Sequence, residues 1–329
     1  MWPAGRHLDS APASEAGEDG AFADAVIDGL SAPQKSLPCR YLYDARGSEL
    51  FEQITALPEY YPTRTETAIL EAHVAEIAGD SGEGQVLVEF GSGSSRKTEI
   101  LLEAMPDLLA YLPIDVSDSA LDEAQCRLAA RFPVLDIRPI HGDFSRNVKL
   151  PPDLRFSRKI GFFPGSTIGN LDRDEARGLL ESFRKILSPH GRLVVGVDLL
   201  KSEETLRLAY DDLAGVTAAF NLNILARINR AFGQAFALDG FRHEARFNRQ
   251  KSRIEMHLVS TRDQSVDLLG HRFTFRRGET IHTENSHKYT IDGFRTLARS
   301  AGWLPERVWT DAGGLFSVHE LTSVRPGAD

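Results

Sequence analysis

Between Val86 and Asp198, short apolar runs alternate with stretches whose apolar side chains recur every three or four residues. The runs are Val86–Phe90, Ala110–Val116, Asp136–His141, Lys159–Pro164 and Arg192–Asp198, and each predicts a strand. Leu121, Ala124, Leu128 and Phe132 mark a helix among them, with Ser119 and Asp122 spaced as a capping box. Ala176, Leu179, Leu180, Phe183 and Leu187 mark another, opened by Asp172 and stopped before Pro189-His190-Gly191. Strands that are apolar throughout need cover on both faces, so the pattern predicts a parallel sheet between helices, an α/β fold. Ligands of such sheets gather beyond the carboxyl ends of the strands. The loops there are where chemistry is expected.

The flanks carry other periods. Residues 21–80 read as mostly helical, with Leu70, Val74 and Ile77 on one face of a helix starting near Thr65, and residues 201–233 are helical again. From Phe247 the period shortens to two, through Ile254, Met256 and Leu258, then His271–Arg276 and Thr280–Tyr289, which predicts an antiparallel region. A helix over Ile291–Ala301 and strands over Glu306–Asp311 and Leu315–Val324 follow.

Composition narrows the partners. Hydrophobic residues are 42% of 329, enough to bury the core of one large domain or two modest ones. The net charge of −9 argues against nucleic acid or an anionic membrane, both of which ask for a basic face. Cys39 and Cys126 are far apart and form no C-x-x-C or Cys/His cluster, so neither a disulfide framework nor a zinc site is expected. His141, His282 and His287 have no partners at metal-ligand spacing, and no metal is called for. No run approaches eighteen apolar residues, and the first twenty residues lack the apolar segment of a signal peptide. These features predict a cytoplasmic protein with a disordered leader over residues 1–20.

The first strand runs into Glu89-Phe90-Gly91-Ser92-Gly93-Ser94-Ser95-Arg96-Lys97. Glycines after a strand let the backbone turn sharply and approach a ligand closely. A dinucleotide fingerprint would need a third glycine where Arg96 stands, which disfavours a nicotinamide enzyme. The acidic-Gly-x-Gly form resembles motif I of class I methyltransferases, whose cofactor S-adenosylmethionine has no pyrophosphate. Asp115, at the tip of the second strand, suits two ribose hydroxyls. Asp143 and Phe144, after the third, supply an acceptor for an adenine amine and an aromatic contact for its face.

Longer motifs then become recognisable. Tyr41-Leu42-Tyr43-Asp44-Ala45-Arg46-Gly47-Ser48-Glu49-Leu50-Phe51, Leu57-Pro58-Glu59-Tyr60-Tyr61-Pro62-Thr63-Arg64-Thr65-Glu66, Pro164-Gly165-Ser166-Thr167-Ile168-Gly169-Asn170 and Thr283-Glu284-Asn285-Ser286 resemble the signatures of the histidine-specific methyltransferase family. The resemblance covers about Phe22 to Val324. It implies a class I methyltransferase fold, a Rossmann-like parallel sheet with an antiparallel C-terminal strand, plus a smaller α+β substrate-binding domain. The implied layout is a helical segment over 21–84 that contributes to the substrate site, a cofactor core from 85–200 and 289–329, and a substrate part over 201–288. Gly91, Lys97, Asp115, Asp143 and Phe144 match cofactor positions. Asn170 and Tyr210 match residues holding the substrate carboxylate, and Tyr43 and Tyr60 match tyrosines around the amino group and carboxylate. Glu284 and Ser286 match the pair that recognises the imidazole, with Met256 lining that pocket.

The implied reaction is trimethylation of the α-amino group of L-histidine to hercynine, toward ergothioneine, by a monomer. An in-line methyl transfer needs no metal, only an uncharged amine held in line with the sulfonium carbon. Tyr43 is the expected catalytic residue, orienting the amine and relaying its proton. An ordinary phenol, with a pKa of about 10, is not itself a strong base. Tyrosine faces also accommodate the quaternary ammonium that builds up. Another amine substrate of the same family, or a non-catalytic module binding S-adenosylmethionine, stays open at this level.

Overall fold

The computed structural model describes residues 15–79, 84–93, 96–144, 148–188 and 190–323. In chain order the first elements are α1 (Glu15–Ser31), α2 (Ala45–Thr55), α3 (Tyr61–Ala78), β1 (Gln85–Phe90), α4 (Arg96–Ala104) and β2 (Ala110–Asp115). Next come α5 (Asp118–Arg131), β3 (Ile140–His141), β4 (Arg158–Phe163), α6 (Arg173–Ile186), β5 (Arg192–Asp198), α7 (Glu203–Tyr210) and α8 (Val216–Phe232). The rest are β6 (Phe241–Asn248), β7 (Arg253–Ser260), β8 (Gln264–Leu268), β9 (His271–Phe275), β10 (Thr280–His287), α9 (Ile291–Ser300), β11 (Trp303–Thr310) and β12 (Phe316–Ser323).

The chain divides into two compact units, a smaller one of residues 1–54, 211–246 and 255–284, and a larger one of 55–210, 247–254 and 285–329. They part at 54/55 and 210/211, where sequence reading placed boundaries at 84/85 and 200/201. Of the expected leader, residues 1–14 lie outside the described residues, and 15–20 form the first turns of α1.

In the larger unit seven strands run in the order β11-β12-β5-β4-β1-β2-β3. β1 is parallel to β2 and β4, β4 to β5 and β2 to β3, while β12 is antiparallel to β5 and β11. This is the parallel sheet with an antiparallel C-terminal strand that the resemblance implied. All six residues of β1 are buried, and alternation divides the four apolar ones between two cores. Val86, Val88 and Phe90 face Leu180 and Phe183 of α6 and Phe294 and Leu297 of α9. Leu87, with Tyr111 and Phe162, faces Ile69 and Leu70 of α3 and Leu101 and Leu102 of α4. Each such fully buried side chain contributes about 1.5–3 kcal/mol. Covered on both faces, the strand is apolar except at Gln85 and Glu89, and the buried Glu89 carboxylate is kept there by the Thr98 and Tyr111 hydroxyls.

The cap at Asp172 is as expected. Its Oδ1 accepts the N–H groups of Asp174 and Glu175 at 3.0 Å, and Glu175 Oε2 accepts the Asp172 N–H at 2.8 Å. Asp172→Ala should cost about 1 kcal/mol, read as a thermal midpoint lowered by about 2–4 °C with cofactor affinity unchanged.

Three elements differ from expectation. α3 begins at Tyr61, four residues before Thr65, because Pro62 fits the first turn, where its missing N–H has no intrahelical partner anyway. α5 begins at Asp118, one residue ahead of the expected cap Ser119, whose side chain lies outside the described residues. β3 shrinks to Ile140–His141, since Pro139 cannot donate to the ladder and Ile137 makes only an isolated bridge to Tyr111.

The smaller unit contains α1, α2 and α8, the hairpin β8–β9, and strands of the sheet β10-β7-β6. The unit boundaries fall inside β6, β7 and β10, at 246/247, 254/255 and 284/285. No helix among the described residues is long and apolar enough to cross a membrane.

Candidate active site

At the carboxyl end of β1 the backbone turns through Gly91 at φ 74° and Gly93 at φ 45°, a region that glycine enters without strain. A Cβ on Gly91 would lie 3.2 Å from Cε1 of Phe144, so the absent side chain is also what lets that ring close on the loop. Asp115, at the end of β2, accepts the Gly93 N–H through Oδ2 at 3.0 Å and the Ser117 N–H through Oδ1 at 3.1 Å. Phe144 follows β3 and is seated edge-on against Phe163, ring centroids 5.7 Å apart. Gly91, Asp115 and Phe144 are thus assembled around one turn, with Asp143 half-buried beside them. Glu89 does not join them. It is buried beneath the loop, where Thr98 Oγ1 donates to it at 2.5 Å and Tyr111 Oη also donates. These groups offer a positive-φ cradle, a half-buried carboxylate and an aromatic edge, a donor set that fits a nucleoside with two ribose hydroxyls.

Lys97, on α4, pairs with Glu66 of α3. Glu66 is fully buried and accepts the Gly165 N–H with both oxygens, at 3.1 and 2.9 Å. It thereby ties α4 to the loop after β4. Glu66 closes the second signature, where a carboxylate amid helical apolar spacing was its one signal in the sequence.

The larger unit also groups four of the expected substrate residues. The rings of Tyr60 and Tyr210 meet edge to face at 6.1 Å, and Tyr210 Oη lies 2.7 Å from Ser286 Oγ. Lys288, two residues along β10's direction from Ser286, donates to both hydroxyls and to Asp198. Asn170 ends a 3₁₀ turn over Thr167–Asn170, entered through Ser166 at φ 57°. Gly169 before it comes so close to the His287 backbone that a Cβ would sit 2.9 Å from that carbonyl oxygen. Tyr61, Asp198, Lys201 and Lys288 were not singled out from the sequence.

In the smaller unit Tyr43 Oη donates to Glu284 Oε1 at 3.4 Å. The phenol is wedged edge-on between Phe51 and Phe220, at 5.5 and 5.3 Å. The signature around it is scaffolding. Asp44 Oδ1 accepts the Gly47 N–H at 2.8 Å and the Asn223 side-chain N–H at 2.7 Å, fixing the start of α2. A Cβ on Gly47 would fall 1.7 Å from the Leu42 carbonyl oxygen, so only glycine fits. Gly47→Ala should cost about 2 kcal/mol by overpacking. Denaturant unfolding measures that cost, and a fall in turnover beyond the loss of folded protein would report the displaced Tyr43.

Glu284 is 8% exposed on β10, and Met256 is buried on β7. The Thr283 hydroxyl, next to Glu284 in β10, reaches the Met256 carbonyl at 3.1 Å and the Asn221 side-chain oxygen at 2.6 Å. His257 stacks on His282 at 4.9 Å, and burial, reinforced by His282, pushes it down to about 4, so it is neutral at pH 7. Among the described residues, no group of three or more His, Cys, Asp or Glu side chains could hold a metal ion.

Comparison with known proteins identifies the family. The model of the family described as histidine-specific methyltransferase, SAM-dependent, matches residues 22–323. Histidine N-alpha-methyltransferase of Mycolicibacterium smegmatis is 42% identical over 298 residues, 89% of this chain and 92% of that protein. Ergothioneine biosynthesis protein 1 of Neurospora crassa is 31% identical over 302 residues, 88% of this chain and 33% of that protein. An S-adenosylmethionine-dependent methyltransferase from Clostridium acetobutylicum superposes with a TM-score of 0.50 at 11% identity, over 84% of this chain and 99% of that one, a likeness of fold alone. The chain belongs to the histidine-specific methyltransferase family and takes S-adenosylmethionine as its cofactor.

Proposed function

We propose that this protein methylates the α-amino group of L-histidine, in successive rounds up to hercynine, within ergothioneine biosynthesis. The observation that carries this reading is the Glu284 carboxylate, nearly buried and beside the Tyr43 phenol, in a chain of this family. A carboxylate largely kept from water favours a strong donor as ligand, and an imidazole N–H is one that apolar amino acids cannot offer. The names of the Mycolicibacterium smegmatis and Neurospora crassa relatives support the same substrate and pathway.

S-adenosylmethionine, when bound, supplies a methyl group activated by its sulfonium. Gly91, Lys97, Asp115, Asp143 and Phe144 would hold it. Glu284 and Ser286 grip the imidazole ring, and Met256 lines its pocket. Asn170, Tyr60 and Tyr210 take the carboxylate, leaving the amine to Tyr43. The Tyr43 hydroxyl orients the nitrogen lone pair and passes its proton toward solvent before each transfer. Holding amine and methyl carbon in line supplies much of the rate, up to about 7–11 kcal/mol in favourable cases. In this reading residues 21–84 and 201–288, with Asn170 from the loop after β4, supply the substrate groups, and 85–200 with 289–329 form the cofactor core. A monomer in the cytoplasm suits it, since one chain carries every group and the donor is made inside cells.

The test is incubation with S-adenosylmethionine and a panel of L-amino acids, followed by mass spectrometry. Histidine alone should gain one, two and three methyl groups. Preferential methylation of another amino acid would overturn the proposal.

A further inference from the structure

Beneath Tyr210 and Ser286 lies a buried charged network that the chemistry above leaves unused. Asp198, fully buried at the end of β5, meets two ammonium groups: Lys201 Nζ at 2.6 Å from Oδ1 and Lys288 Nζ at 2.6 Å from Oδ2. Tyr61 donates to the same carboxylate at 2.8 and 2.9 Å and receives a bond from Lys201 at 2.6 Å. Burial alone would push the Asp198 carboxyl up, but the two lysines outweigh it and hold it below the ordinary range. Burial pushes Lys201 down to about 8, which leaves it cationic at neutral pH. Asp311 also acts on Lys201, but its Oδ1 is taken up by the backbone N–H groups of Leu315 and Phe316 at 2.7 and 2.8 Å.

An ammonium has three donors and no acceptor. Lys288, whose side chain is wholly buried, directs them to Asp198, to Ser286 Oγ at 2.7 Å and to Tyr210 Oη at 2.9 Å. Both hydroxyls must therefore accept from Lys288. One of their two hydrogens is used in the 2.7 Å bond between them, and the other leaves the triangle as a donor. Lys288 cannot accept, so the direction cannot reverse. The trio of Asp198, Lys201 and Lys288 also sums to one positive charge, which a buried site tolerates best opposite an anion.

We propose that Lys288 is a positioning residue that sets substrate specificity: by making the Ser286 and Tyr210 hydroxyls accept from it, it sets Tyr210 as a fixed donor for the carboxylate of the amino-acid substrate, while Ser286 stays on the imidazole. Amines without a carboxylate are thereby excluded. The inference rests on the reading that the substrate is L-histidine.

The experiment compares L-histidine with L-histidinamide, which keeps ring and amine and lacks the anion, in the full chain and in its Lys288→Met variant. The wild type should prefer histidine by about 100-fold in kcat/KM, mostly through KM. In Lys288→Met, histidine should lose about 100-fold while histidinamide changes by less than about threefold, so the preference vanishes. Cofactor binding by calorimetry reports whether the variant is folded. If it is not, Tyr210→Phe keeps the ammonium and removes the relaying hydroxyl, and it should also collapse the preference. Equal losses on both substrates, or an undiminished preference in a folded variant, would overturn the inference. No turnover of histidine by the wild type would overturn the substrate reading along with it, whereas turnover with the preference intact in the variants would overturn this inference alone.

Discussion

Glu284→Ala is expected to lower kcat/KM for L-histidine by about 1,000-fold, some 4 kcal/mol. A hydrogen bond to a charged acceptor is worth about 1.5–3 kcal/mol, and leaving the ring N–H unpaired in a site closed to water adds a further penalty. Glu284 is 8% exposed, so water cannot readily replace it. The variant also removes the acceptor of the Tyr43 hydroxyl, which then loses its tether at 3.4 Å. Affinity for S-adenosylmethionine should stay within about threefold, because that role falls to the loops after β1 to β3. Glu284→Gln keeps an oxygen acceptor without the charge and should recover part of the loss. Steady-state kinetics on both variants, with calorimetry for the cofactor, checks this. Wild-type turnover in Glu284→Ala would remove Glu284 from the substrate site.

The second large effect is expected at Asp115. Its Oδ2 holds the Gly93 N–H and its Oδ1 the Ser117 N–H, so the carboxylate shapes the loop that it also serves. In Asp115→Ala the ribose hydroxyls lose a charged acceptor and the loop loses two capping bonds. The dissociation constant for S-adenosylmethionine should rise by about 100-fold, near 3 kcal/mol. Asp115→Asn keeps one acceptor oxygen and should fall between. Unchanged cofactor affinity in the alanine variant would contradict the assignment.

How much of this was visible in the sequence follows from where the pattern is set by packing. β1, β2, β4 and β5 are buried on both faces, so most of their positions are apolar and they were readable as strands. β6 was not, because its inward positions are Phe241, His243 and Ala245 between Arg242, Glu244 and Arg246, and a buried histidine carries no hydrophobic signal. His243 is paid for by a 2.9 Å bond to Asn221, a tertiary partner that no local window contains. β8, with Ser265 and Asp267 outward, buries only Val266 and Leu268, too short an alternation to stand out in the sequence. Gly91, Asp115 and Phe144 were legible because each ends or follows a readable strand.

The buried polar residues were the harder part. Glu66, Tyr61, Asp198 and Lys288 pair across separations of 31 to 137 residues, and their meaning exists only once the sheet brings them together. Two of them lie in the second signature, Tyr61 and Glu66, which shows that the long motif encodes scaffold as well as site. Asp44 and Gly47 do the same for Tyr43 in the first.

The most direct measurement is fragmentation mass spectrometry of the product formed from L-histidine and excess S-adenosylmethionine, locating each added methyl. Up to three methyl groups are expected, all on the α-nitrogen, with the imidazole unmodified. Methyl groups on a ring nitrogen would mean that the ring, and not the amine, faces the donor, and would contradict the account.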